Sequence, residues 1–166
     1  MSEWVSWLLV GHSDKVEILL RLCVAAIAGM AVGINRDIRN KPIGMRTLGL
    51  VALGSATVIL SGSVYEGLNY GENAVSRVVQ GILTGLGFLG AGAIIKAREG
   101  TEVRGLTTAS TVWIAAALGV TAGLGAWFLT FAGTVMTLIV LILGKPLENW
   151  LTRLFRGDEE TVRDDG

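Results

Sequence analysis

Residues that cross-link chains, ligate metals or attack substrates are scarce in this sequence. Its single cysteine, Cys23, rules out an intramolecular disulfide, and its place in an apolar run gives the expectation of a small buried hydrophobe. The single histidine, His12, lies near the N-terminus and reads as an exposed or interfacial residue rather than a metal ligand. P-loop, HExxH and GxSxG patterns are absent, so no catalytic, cofactor-binding or metal-ligating residue is assigned and no enzyme is expected. Charge is sparse as well: 17% of residues are charged, against roughly 25% in an average soluble domain. Lys and Arg number 14 against 14 Asp and Glu, which leaves no basic surplus for a nucleic-acid partner.

What the chain has in abundance is apolar surface and glycine. Hydrophobic residues make up 51% of the 166, with a mean hydropathy of +0.58. The 23 glycines sit inside apolar runs with only two prolines, which fits neither collagen nor a low-complexity linker. Stretches long enough to cross the hydrocarbon core fall at about 17–34, 46–63, 77–96, 106–125 and 126–144. The expected fold class is therefore an all-α integral membrane protein, a bundle of five transmembrane helices in contact with the lipid bilayer. Residues 2–10 lack a basic n-region and a small-residue cleavage site, so the first span is expected to act as its own insertion signal.

Basic residues set the expected orientation. Arg36, Arg39, Lys41 and Arg46 lie in the first loop, Lys96, Arg98 and Arg104 in the third, and Lys145, Arg153, Arg156 and Arg163 in the tail. With five spans all of these share one face, which predicts the N-terminus outside and the C-terminus in the cytoplasm. Segment 1–16, with Trp4, Trp7 and Leu8 at helical spacing, is expected to lie in the outer interface, and 17–144 forms the membrane domain. After Pro146, Leu147, Trp150, Leu151, Leu154 and Phe155 recur every three to four residues, giving a juxtamembrane amphipathic helix over 145–156. The acidic stretch 157–166 is expected to be unstructured.

Lipid tails are as apolar as leucine, so helices in a membrane associate through close packing and hydrogen bonds rather than through hydrophobicity. Small-residue faces are the signature of such packing. Gly29 and Gly33 form one in the first span, and Gly119 and Gly123 form another in the fourth. The third span is richest, with Gly81, Gly85, Gly87, Gly90 and Gly92. The expectation is an inner bundle of spans one, three and four, with the bulkier second and fifth nearer lipid.

Two polar constellations stand out against this background. Near the outer face, Arg21 follows Glu17 by four residues, the favourable order for a helical ion pair, and Arg77 and Gln80 open the third span on the same side. At the inner face, Asn35, Arg36, Asp37, Arg46 and Thr47 in the first loop lie on the same side as Arg104, Thr107 and Thr108 at the start of the fourth span. Asp37 is expected to pair with Arg46 or Arg104. Thr107, Thr108, Ser110 and Thr111 are placed to satisfy free amides at a helix start or to bond between helices. No carboxylate lies deep in any span, which argues against a proton pump or a dedicated divalent-cation pore.

Taken together, six stretches resemble the membrane domain of the MgtC/SapB family of bacterial inner-membrane proteins. They are Gly33-Ile-Asn-Arg-Asp37, Lys41-Pro-Ile-Gly-Met-Arg-Thr47, Val51-Ala-Leu-Gly-Ser55, Gly85-Leu-Gly-Phe-Leu-Gly-Ala-Gly-Ala-Ile94, Val103-Arg-Gly-Leu-Thr-Thr-Ala-Ser110 and Trp113-Ile-Ala-Ala-Ala-Leu-Gly119. The resemblance covers about 17–145 and implies a multi-pass protein of the bacterial inner membrane, tied to growth in low Mg²⁺ and survival in acid or host environments. Family members commonly carry Glu-Arg where this chain has Asn35-Arg36, and many add an ACT-like C-terminal domain that is not expected here. The reading that follows is a regulator acting through membrane helix contacts, as a homo-oligomer or with another membrane protein complex. The alternative is a transporter of Mg²⁺ or of another ion or solute.

Overall fold

The computed structural model describes residues 12–64, 72–96 and 103–160. Five helices follow in order: α1 (His12–Ile38), α2 (Met45–Val64), α3 (Glu72–Ala93), α4 (Leu106–Gly123) and α5 (Trp127–Glu160). All five are long and apolar enough to span a membrane. Between α3 and α4, β1 (Ile95–Lys96) and β2 (Val103–Arg104) form a two-residue antiparallel ladder that pairs Ile95 with Arg104 and Lys96 with Val103. The expected segment around Trp4, Trp7 and Leu8 lies outside the described residues.

The core is a trio of α1, α2 and α4, not the expected trio of the first, third and fourth spans. More than half of the α4 span is buried, and a third or more of α1 and α2, whereas α3 and α5 bury only 6% each. On α1 the buried stripe runs through Arg21, Ala25, Ala28, Gly29, Val32, Gly33 and Arg36, at steps of three and four. Cys23 lies on the opposite side and is exposed, which corrects the expectation of a buried thiol. Toward the Arg21 end one alanine from each helix, Ala25, Ala56 and Ala122, meets the other two, all fully buried.

Glycine explains why α2 sits in the middle. A Cβ built on Gly29 would lie 2.4 Å from the Leu48 carbonyl oxygen, and one on Gly33 would lie 2.3 Å from the Met45 Cα. From the other side, Gly119 would bring a Cβ within 2.1 Å of the Ala52 carbonyl oxygen, and Gly123 within 3.1 Å of the Ala56 Cα. Both small-residue faces that lie in the core therefore grip the same helix, backbone against backbone. The first-span glycines are consequently spent inside the monomer. The third-span glycines differ: Gly81, Gly85, Gly87 and Gly92 have nothing within 4 Å of a built Cβ, and Gly90 meets only the Ala109 Cβ, at 3.9 Å. Spacing shows that two small residues share a helix face, but not which helix they meet, and that is where the sequence reading went astray.

α3 instead docks through Leu86, with Ile82 and Leu83 against the core. Grooves remain on either side of it. One of about 680 Å³ separates it from α4 and includes Gly87, Gly90, Ser110 and Trp113; another of about 410 Å³ lies toward α2 and includes Gly54, Gly81 and Gly85.

Two tight turns close the core. After α1, the Asn40 amide donates to the Asp37 carbonyl and the Lys41 amide to the Arg36 carbonyl, with Asn40 in the left-handed region at φ 50°. After α4, Gly125 at φ 75° plays the same part: its amide donates to Ala122 and that of Ala126 to Thr121. Both are Schellman endings, which satisfy the last carbonyls of a helix. α5 then runs unbroken through Pro146, so the amphipathic stretch 145–156 is the continuation of the fifth span. Its backbone stays helical to Glu160, correcting the expectation that structure ends at 156; residues 161–166 lie outside the described residues. A helix already formed elongates at one hydrogen bond per residue, and lone Gly157 does not stop it.

Adding one methyl at Gly119 is expected to lower stability by about 1–3 kcal/mol, the usual cost of overpacking. The same change at Gly85, which meets nothing, should raise stability by up to about 1 kcal/mol through helix propensity. Thermal midpoints of Gly119→Ala and Gly85→Ala in one detergent check the contrast, and equal shifts would contradict the assignment of the core.

Candidate functional site

A helix leaves unpaired amides at its start and unpaired carbonyls at its end, and each end carries a partial charge that a side chain of suitable sign can complement. Three charged residues of α1 are placed at such ends. Arg21 and Arg36 occupy the two limits of the buried stripe, fifteen residues apart in the sequence, or about 22 Å along a helix. Both reach α4, which runs antiparallel to α1.

Arg21 meets the C-terminal end of α4. Its Nη1 donates to the Gly123 carbonyl at 2.9 Å, and its Nε donates to Glu17 Oε1 at 3.1 Å, with Nη2 on the same carboxylate oxygen. The Glu17 pairing is the expected one; the carbonyl acceptor 102 residues away could not be read from the sequence. A cation at the negative end of a helix has the favourable sign. Gly125 makes room for it, because a Cβ there would lie 2.8 Å from Arg21 Nη2. Arg77 and Gln80 do not share this burial: both are exposed on α3.

At the basic end, Asp37 serves the start of α2. Its Oδ2 accepts the Met45 amide at 2.9 Å, so an acid from one helix caps the next. Gly44 leaves space for the carboxylate, since a Cβ there would stand 1.6 Å from Asp37 Oδ1. The expected pairing with Arg46 is replaced by this cap, and Arg46 is exposed. The Arg104 side chain lies outside the described residues. Arg39 serves a different helix. Pro146 has no amide hydrogen, so the Ile142 carbonyl four residues earlier loses its helical donor, and Arg39 Nη2 donates to that oxygen at 3.3 Å. Neither role was drawn from the sequence, although Pro146 and the acid before a glycine were the available signals.

Arg36 is the remaining member of this end and the most deeply placed. It is 5% exposed, and Nη2 donates to the Thr108 hydroxyl in the first turn of α4. The sequence reading grouped these two residues on one face, and the fold brings them into contact across 72 positions. Thr108 is itself buried, and its carbonyl accepts the Thr111 hydroxyl at 2.7 Å. Asn35 is half-buried, while Thr47 and Thr107 are exposed, so the inner cluster divides into a buried pair and an outer rim. A further hydroxyl contact, Thr130 with Thr121 at 2.9 Å, joins α5 to α4 and was not anticipated. Among the described residues, no group of three His, Cys, Asp or Glu side chains is placed to hold a metal ion.

Comparison with known proteins bears on this end of the bundle. The chain matches the MgtC family over residues 22–150, a range that includes Arg36, Asp37 and Thr108 and begins one residue after Arg21. It is 42% identical over 150 residues to Protein SrpB of Synechococcus elongatus, covering 84% of this chain and 82% of that protein. Identity to Protein MgtC of Brucella abortus is 41% over 126 residues, and to Protein MgtC of Salmonella typhimurium 40% over 125. These matches cover 76% and 75% of this chain but 50% and 51% of the MgtC proteins, so the chain spans about half their length. No solved structure matches it.

If Asp37 acts as a cap, Asp37→Ala should cost about 0.5–2 kcal/mol of stability while Asp37→Asn keeps most of it, because both side chains accept an amide hydrogen bond equally well. Unfolding in mixed micelles measures both. An Asn variant as damaged as the Ala variant would instead assign the carboxylate an ion-pair role.

Proposed function

The chain belongs to the MgtC family of membrane proteins, and on that premise we propose that it is a regulator in the bacterial inner membrane rather than a carrier of ions. In this reading it serves adaptation to low Mg²⁺, acid or host stress, and acts through contacts of its membrane helices with a second copy or another membrane protein complex. The positive-inside rule orients it with the N-terminus outside and the C-terminus in the cytoplasm.

The observation that carries this reading is the set of α3 glycines that no helix of the monomer covers, of which Gly81, Gly85 and Gly92 share one helical stripe with exposed Phe88 while Gly87 lies toward α4. Glycine in a helix interior costs about 1 kcal/mol relative to alanine, and a close backbone contact is the usual compensation. Gly81, Gly85, Gly87 and Gly92 have no such contact within the monomer. A partner helix would supply it.

The transport reading draws on one observation, the pair of arginines buried along α1. Between them the stripe consists of Ala25, Ala28, Gly29, Val32 and Gly33, all buried against α2 and α4. That seam is close-packed, and each arginine is engaged with an end of α4. Two clamps at opposite ends of a packed seam suit a rigid scaffold better than a hydrated path.

Replacing Gly81 and Gly85 together by leucine should leave the detergent thermal midpoint within a few degrees of the parent, yet abolish in-cell crosslinking to the partner and growth on limiting Mg²⁺. Proteoliposomes of the parent should show no saturable Mg²⁺ flux. Saturable flux that disappears in Arg36→Ala would replace this reading with transport.

A further inference from the structure

Compared end by end, the buried helices reveal one mismatch of sign. The start of α2 holds the Asp37 carboxylate and the end of α4 holds the Arg21 guanidinium, each complementing the partial charge of its helix end. The start of α4 holds a cation instead. Arg36 reaches Thr108 in the first turn, where the free amides already concentrate positive charge.

Beside this start the described residues offer the Ala93 carbonyl at the end of α3, which lies against Gly105, but no carboxylate. Gly105, at φ 98°, precedes α4, and among the described residues no side chain caps that helix. Its first internal bond runs from the Ala109 amide to the Gly105 carbonyl at 2.9 Å, so the three amides before it have no acceptor within the helix. Arg36 Nε is buried without a hydrogen-bond partner. The neighbouring Asp37 carboxylate is committed to the Met45 amide, and the one ion pair among the described residues is Arg21 with Glu17 at the other end. Thr108 Oγ1 accepts from Arg36, which leaves its own hydrogen to donate.

We propose that this end of the bundle binds a phosphate oxyanion between Arg36, Thr108 and the first turn of α4. One end of α4 brings together a planar guanidinium, a hydroxyl and a helix start, and the matching ligand accepts from several directions. A phosphate does so with its tetrahedral oxygens, two of which fit the guanidinium fork, and helix N-termini are established seats for it. Exposed Arg39, Lys41 and Arg46 lie around the turn that follows α1 and give the rim the attractive sign. Among the described residues Nε is closed off by burial, so binding requires the Arg36 side chain to turn toward the rim. The site lies at the end of a spanning helix, where the phosphate of an anionic lipid headgroup and free phosphate offer the same chemistry.

The test uses the full-length protein in nanodiscs, reading the thermal midpoint and the affinity drawn from its titration. Inorganic phosphate is titrated into discs of phosphatidylcholine alone, against chloride at matched ionic strength, and phosphatidylglycerol is doped into a second series. A rise with phosphate in phosphatidylcholine assigns a free anion. A rise with phosphatidylglycerol that phosphate does not extend assigns a headgroup. In either case Arg36→Gln should abolish the rise, and Thr108→Val should weaken binding about ten-fold, equivalent to about 1.4 kcal/mol. Thr108→Val keeps the guanidinium and decides the matter if Arg36→Gln does not fold. No response of the parent to either probe, or an affinity unchanged in Thr108→Val, would overturn the site.

Discussion

The fold depends on backbone-to-backbone contact between α2 and the two helices that enclose it. In lipid the hydrophobic effect gives no reason for one apolar helix to prefer another, so dispersion at short range has to supply the preference. Dispersion falls steeply with separation, and a gap of even half an ångström forfeits much of it. Gly29 and Gly33 on one side and Gly119 and Gly123 on the other remove the side chains that would hold the helices apart. The alanine triad of Ala25, Ala56 and Ala122 continues the same logic toward the Arg21 end, with Leu22 and Val24 packed against it.

A core this close has little room for polar groups except at its ends, and that is where the buried charges lie. Arg21 and Arg36 share the packed stripe of α1 because the same steps that carry Ala25 and Val32 inward carry these arginines inward too. Each then meets the end of α4 that the antiparallel arrangement brings to it. One end yields a carbonyl and a carboxylate; the other yields only a hydroxyl and leaves Nε without an acceptor. The polar chemistry of the bundle is thus set by helix direction as much as by residue identity. Arg39 follows the same rule, since the oxygen it reaches is free only because Pro146 withholds an amide.

The five spans were legible in the sequence because each is a long apolar run bounded by charge, glycine or proline. So was the Glu17–Arg21 pair, whose spacing is local, and the meeting of Arg36 with Thr108 on one face, which follows from counting crossings. What the sequence could not specify was which helices touch. Glycine content marked α3 as central, yet glycine only permits approach; Leu86 and its neighbours decide where α3 docks. The role of Asp37 was missed for a related reason. A carboxylate among arginines suggests an ion pair, but the amide of Met45 lies just across a short turn, and Gly44 holds open the space the carboxylate needs.

The exposed glycines of α3 and the buried ones of α1 and α4 therefore pose different physical questions. Those in the core are required by contacts that any side chain would break. Those on α3 weaken the helix by about 1 kcal/mol apiece, and folding of the monomer returns nothing at Gly81, Gly85, Gly87 or Gly92. α3, like α5, also buries far less than the helices of the core. A helix that is costly to form and shallowly docked is poorly suited to holding a fold together. The trio of α1, α2 and α4 does that instead, through the close contacts its glycines allow.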